Sequence, residues 1–151
     1  TDEFHSALSK INKKVAQIPE NMRPGVYFQS IHSRMKTFSP TSISIFCLEQ
    51  AGGRNIASDA KARFNTNIAS YGKEKLLSHG DEIDVFLAQQ GRMNPISVEI
   101  IKNEPGFSLI KAVKENKVFI IDEKIVSRPT PELIKGITLI NKILYPTDNK
   151  R

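Results

Sequence analysis

The chain has 151 residues, one cysteine and a formal charge of +6, with 39% hydrophobic and 25% charged residues. That is enough chain for one domain with a hydrophobic core, the single cysteine excludes an internal disulfide, and no apolar run approaches the ~20 residues of a membrane-spanning helix. The basic balance favours acidic partners, which leaves open nucleic acid, a membrane surface or an anionic ligand.

Phe4, Leu8, Ile11, Val15 and Ile18 recur at spacings of four, three, four and three, one apolar stripe on a helix of about four turns. Pro19 and the cluster Asn21-Met22-Arg23-Pro24-Gly25 end it. No leader pattern stands ahead of this helix, as expected of a cytosolic protein or of a fragment whose upstream part has been removed. Gly25–Ser30 reads as a strand, and Ile31–Pro40 as its exit loop, with His32, Arg34 and Lys36 and no acid. Thr41 or Ser42 suits the N-cap of a helix burying Ile43, Phe46, Cys47 and Ala51, which Gly52-Gly53 stops.

Arg54–Ala69 reads as irregular, with one short helical turn at Ala57–Ala62. A short helix follows over Gly72–His79. Ile83–Ala88 (Ile-Asp-Val-Phe-Leu-Ala) is apolar apart from Asp84, the pattern of a strand buried on both faces. Gln89–Asn94 is its exit loop. Asn94-Pro95 opens a helix through Lys102, although Val98–Ile101 could instead supply a fourth strand. Pro105-Gly106 begins another helical piece to about Lys114, Val118–Asp122 is a strand, and Glu123–Pro131 is its loop. The last helix presents Leu133, Ile137, Ile140 and Leu144; Tyr145-Pro146 ends it, and Thr147–Arg151 is expected to fray. Strands alternating with helices imply an α/β fold, three-layered and Rossmann-like, with a mostly parallel sheet.

Candidates for covalent or metal chemistry are few. Cys47 shares a helical face with Ile43 and Ala51 and reads as a small buried hydrophobe. His5, His32 and His79 lack a metal-ligating partner at i+3 or i+4. Asp81, Glu82 and Asp84 stand at the amino end of a strand and read as a solvated turn. Gly52-Gly53 follows a helix, so it is no dinucleotide fingerprint, and GxxxxGK[ST] is absent. The exit loops are more informative, because ligands of open α/β sheets sit outside the carboxyl ends of the strands. Ile31–Pro40 and Gln89–Asn94 hold Arg34, Lys36 and Arg92 without a carboxylate, and the third loop adds Arg128 beside Glu123. An edge built from them would suit carboxylates, oxyanions or an anionic metal chelate. Nucleic acid fits less well, since the basic residues are scattered and no binding motif is present.

Several segments together resemble one family. Ala51-Gly52-Gly53-Arg54-Asn55-Ile56-Ala57 resembles its AGG-x-N-hydrophobic segment, and Gly72-Lys73-Glu74-Lys75-Leu76-Leu77 its short S-x-E-x-L-L helix. Pro105-Gly106-Phe107, Ala112-Val113-Lys114 and Lys117–Asp122 resemble its PGW, AVK and VYxID run. Ser127–Pro131 resembles RPGPR, and Leu144-Tyr145-Pro146 the closing hydrophobic-Pro pair. The family is the substrate-binding proteins of ABC importers for siderophores, haem, cobalamin and related metal complexes, which have two α/β lobes joined by one long helix.

The resemblance covers only the linking helix and the carboxyl-terminal lobe. It implies a linking helix over 1–20, truncated at its start, a lobe over 21–146 and a frayed tail over 147–151, with an amino-terminal lobe missing. It further implies a periplasmic or extracellular, membrane-anchored lipoprotein that is not an enzyme and needs no cofactor. Its ligand would be a ferric siderophore, haem or cobalamin, delivered to an ABC transporter permease. Glu74 matches the glutamate that docks on that permease, while Arg34, Gln90, Arg92, Asn94 and Arg128 match the ligand-facing edge. Glu132 and Thr130 depart from the RPGPR pattern, and Phe107 replaces the usual tryptophan. These departures leave the ligand open. The competing readings are a stand-alone Rossmann-like domain, either a small-molecule-binding regulator or an enzyme, and a basic domain that binds nucleic acid.

Overall fold

The computed structural model describes residues 2–33, 35–62, 68–92, 94–127 and 130–146; the side chains of residues 2–4 and 62 lie outside that description. Phe4 of the predicted stripe, Arg34, Arg128 and the expected frayed tail therefore fall outside it. Helix α1 spans Asp2–Ala16. It buries Ile11 and Val15, four residues apart on one face. The chain then enters β1 (Gly25–Ile31), which turns back into β2 (Lys36–Phe38). Helix α2 (Ile43–Gln50) is capped by Ser42, whose hydroxyl accepts from the Ile45 N–H, and it ends at Gly52 with φ of 96°.

Short strands β3 (Arg54–Asn55), β4 (Lys61–Ala62) and β5 (Ile68–Ser70) follow, then α3 (Lys73–Ser78). Strand β6 runs Val85–Gln90 and leads to α4 (Val98–Lys102) and α5 (Lys111–Lys114). Strand β7 (Val118–Asp122) and helix α6 (Leu133–Leu144) complete the chain described.

The sheet order is β4-β5-β2-β1-β6-β7, with β3 also pairing β1. The ladders β1–β6, β6–β7 and β1–β3 are parallel, and the edge β2, β5, β4 is antiparallel. Alternation along the strands divides the core in two. Val26, Phe28, Val85 and Leu87 face α1, α2 and α6. Tyr27, Phe86 and Ala88 face Leu76, Ile101 and Phe107. The result is the three-layer α/β arrangement expected, with a mostly parallel sheet.

Four readings are corrected. Ile31–Pro40 is not simply an exit loop: it contains β2, which folds back beside β1 through Gln29↔Thr37. Arg54–Ala69 holds three short strands rather than a helical turn, each too brief to carry a visible alternation. Residues 89 and 90 continue β6 instead of leaving it, whereas Val98–Ile101 is helical as read, with Ser97 capping α4. Phe46 is 45% exposed, since Ile45 and Leu48 form the inner face of α2.

Asp84 is also more than a solvated turn. Its Oδ2 accepts from the Gly25 N–H at 2.8 Å and its Oδ1 from Lys111 Nζ at 2.6 Å. It thus ties the first residue of β1 to the approach to β6. Burial alone would raise its carboxyl, but Lys111, the Gly25 N–H and the nearby Arg54 charge hold it below the usual range.

Helices α1 and α6 run in the same sense. Val15 and Tyr145 both stand against Gly52, and one turn or two earlier Ala7 and Lys10 share a groove with Thr138 and Asn141. Arg23 closes the far end of α1 by donating to the Ile18 and Val15 carbonyls, both at 3.2 Å.

Candidate functional site

Strands β1, β6 and β7 are parallel and in step, pairing Gln29 with Ala88 and Gln90 with Asp122, so their carboxyl ends open on one edge. A tight turn leaves β6, closed by Gly91 N–H to the Asn94 carbonyl at 3.3 Å and by Asn94 N–H to the Gly91 carbonyl at 3.1 Å. Arg92 is exposed on this turn. Glu123 packs against Gly91, where any added Cβ would run into its carboxylate.

Asn94 is buried, and both ends of its amide are used. Its Oδ1 accepts from the His32 N–H at 3.0 Å, and its Nδ2 donates to the Gln89 carbonyl at 2.7 Å. Asn94 therefore clamps the exits of β1 and β6 together. Gln90 is exposed and donates from Nε2 to the Ile96 carbonyl at 3.2 Å, which steadies the chain beyond the turn. A second clamp joins β6 to β7: Ser127 Oγ donates to Gln89 Oε1. Ser44, at the start of α2, donates to the Val126 carbonyl at 2.9 Å and lies 3.2 Å from Ser127 Oγ.

Beneath this edge sits a charged relay of residues. His32 is 7% exposed. Its Nε2 lies 2.8 Å from Glu104 Oε1, its Nδ1 lies 3.0 Å from Gln29 Nε2, and its ring meets Phe107 edge-on. Since an amide NH₂ can only donate, Nδ1 accepts and Nε2–H points at Glu104. Lys73 Nζ binds the other Glu104 oxygen at 2.7 Å. The Lys73 bond, opposed by desolvation and helped by His32, holds the Glu104 carboxyl below its ordinary range.

Of the expected ligand contacts, Gln90, Arg92 and Asn94 thus come together at one turn, while Arg34 and Arg128 lie outside the described residues. Asn94 faces inward as a clamp, because its amide is consumed by backbone partners. The edge is also less uniformly cationic than the loops suggest, since Glu104 and Glu123 reach it. Sequence spacing could not find Glu104, which arrives 72 positions after His32. The signal available was adjacency: Glu104 precedes Pro105-Gly106-Phe107, and Lys73 precedes Glu74. Glu74 itself is exposed in the first turn of α3. Among the described residues, no group of three or more His, Cys, Asp or Glu could hold a metal ion, and no helix is long and apolar enough to cross a membrane.

No protein-family model matches the chain, and no curated protein sequence matches it either. Solved structures do. An ABC transporter solute binding protein from Sulfurospirillum deleyianum is 24% identical, with a TM-score of 0.77 over 97% of this chain and 44% of its own. A protein of an ABC-type Fe3+-hydroxamate transport system from Saccharomonospora viridis is 19% identical, with a TM-score of 0.74 over 95% of this chain and 47% of its own. The periplasmic vitamin B12 binding protein BtuF of Vibrio cholerae is 16% identical, with a TM-score of 0.71 over 99% of this chain and 53% of its own. The chain thus has the fold of about half of an ABC-importer solute-binding protein of the iron-complex and B12 type.

Proposed function

We propose that the chain is the carboxyl-terminal lobe of an extracytoplasmic solute-binding protein that captures an anionic metal chelate, a ferric siderophore in the first instance. On this reading residues 1–20 are the helix linking it to an amino-terminal lobe, and the lobe itself occupies 21–146. The observation that carries the proposal is the clamped edge. The exits of β1, β6 and β7 are locked by Asn94, Gln89 and Ser127, while Arg92 and Gln90 project from it. A preformed edge with an exposed guanidinium suits one wall of a cleft that closes over an oxyanion-rich ligand.

The clamp's hydroxyls and amides are committed to backbone and to one another, as suits a fixed wall. On this reading the protein acts by binding, and closure of two lobes shifts the population of a hinged receptor. Glu74, exposed on α3, would then meet a basic pocket on the importer's permease. The parent receptor would work outside the cytoplasm, held at the membrane as a lipoprotein.

A thermal-shift panel of ferric siderophores, haem, cobalamin and small oxyanions tests the reading on the protein carrying both lobes. A cognate ligand at about 100 times its dissociation constant adds about 2.7 kcal/mol of stability. One clear hit that Arg92→Ala weakens supports the proposal. Nanomolar binding by the 151-residue chain alone contradicts it, because a single lobe supplies one wall of the cleft.

A further inference from the structure

At the opposite end of the sheet, where β1, β6 and β7 begin, a groove of about 610 Å³ opens between the strand starts and the end of α6. Its apolar wall is built by Phe119, Ile143, Leu144 and Val85, and Met22, 70% exposed, stands at its side. Its polar wall is cationic, from Arg54, Lys117, Lys142 and Arg23.

The charges there are unequally spoken for. Asp84 is the one carboxylate lining the groove among the described residues, and it is bound on both oxygens by Lys111 and the Gly25 N–H. Arg23 spends two nitrogens on the end of α1. Lys117 lies 3.8 Å from Glu115, a loose pairing. Arg54 Nε is buried without a hydrogen-bond partner among the described residues, and the Arg54 charge is shared only at longer range with Asp84. A cavity of drug-ligand size with one apolar wall and one cationic wall is complementary to a molecule carrying both an acid group and a hydrocarbon body.

We infer that this groove is a second binding site, distinct from the cleft edge, for a single-chain amphipathic carboxylate, with the acid group at Arg54 and Lys142 and the chain along Phe119 and Ile143. It does not rest on the transport reading. The two regions lie at opposite ends of the parallel strands, and an occupant here would leave the Gly91–Asn94 turn untouched.

Dodecanoate, titrated below its micelle concentration into the 151-residue chain and followed by calorimetry and amide NMR, tests the site. Binding is expected in the micromolar range, with shifts centred on residues 22–24, 117–119 and 142–144. Arg54→Gln and Lys142→Gln should each weaken it by about tenfold, the value of one charge-assisted hydrogen bond. Lys135→Gln removes an equal charge elsewhere on α6 and should leave affinity unchanged. Butyrate should bind far more weakly, for want of apolar contact, and dodecyltrimethylammonium should not compete. Equal binding of the cationic amphiphile, equal weakening by Lys135→Gln, shifts centred elsewhere, or no heat at millimolar dodecanoate overturns the inference. Because Lys142 is exposed, its variant remains informative if Arg54→Gln fails to fold.

Discussion

His32 and Glu104 stand 72 positions apart in the chain and 2.8 Å apart in the fold. The pair fastens the exit of β1 to the turn after α4. Replacing Glu104 by Ala leaves a buried imidazole N–H without its acceptor and Lys73 without its counter-ion. The expected loss is about 1–3 kcal/mol in urea unfolding. Lys73→Ala should cost less, because His32 keeps its acceptor.

The same carboxylate sets an acid limb. Its folded pKa is lowered, so Glu104 adds stability above its unfolded value and loses it as pH falls through the folded value. Stability measured between about pH 6 and pH 2 should therefore fall less steeply in Glu104→Gln than in the parent. Asp84 is depressed too, by Lys111 and the Gly25 N–H against its own desolvation, and Asp84→Asn should flatten the same window. A double variant separates the two contributions, since the carboxylates sit at opposite ends of the sheet. Unchanged acid limbs in both singles would contradict these assignments.

Cys47 is fully buried, and burial pushes its thiol up to about 12. Ellman's reagent at pH 8 should leave it unmodified in the folded chain and titrate one thiol per chain after denaturation. Fast native labelling would mean that α2 opens readily.

Gly136 admits no side chain. A Cβ there would collide with the Ile125 carbonyl oxygen, where α6 passes over the turn that follows β7. Gly136→Ala should cost about 1–3 kcal/mol despite alanine's better helix propensity, measured as a lowered urea midpoint. A stabilised variant would show that α6 can move away from that turn.

Docking and folding can be separated at Glu74, which is exposed on α3. Under the proposed docking role, the isosteric Glu74→Gln should change stability by less than about 1 kcal/mol while sharply reducing uptake by cells whose two-lobed receptor carries it. Uptake at the parental rate removes Glu74 from the permease interface.

Much of the fold could be read in advance because its signals are local. The stripes on α1 and α6, the apolar runs of β6 and β7 and the Ser42 cap each declare themselves within a few residues. The antiparallel edge could not be read this way. Strands of two or three residues, such as Lys61–Ala62 and Ile68–Ser70, exist only because β2 offers them a partner. The site divides along the same line. Arg92 and Gln90 could be placed at the edge because a strand's exit follows from the strand. That Asn94 turns inward, and that Glu104 enters from another layer, depends on contacts between distant segments. The role of Asp84 is hidden from local sequence for the same reason: its partners, Gly25 and Lys111, lie 59 and 27 positions away.

The side-by-side placement of α1 and α6 has a kinetic corollary. Asn141 on α6 donates to the Ala51 carbonyl at 3.0 Å across 90 positions, and the apolar faces of α1 and α2 are sealed only when α6 arrives. One side of the sheet is therefore covered only once segments about 90 positions apart have met. Contacts of such long separation make folding slow, and the half-made sheet stays sticky meanwhile.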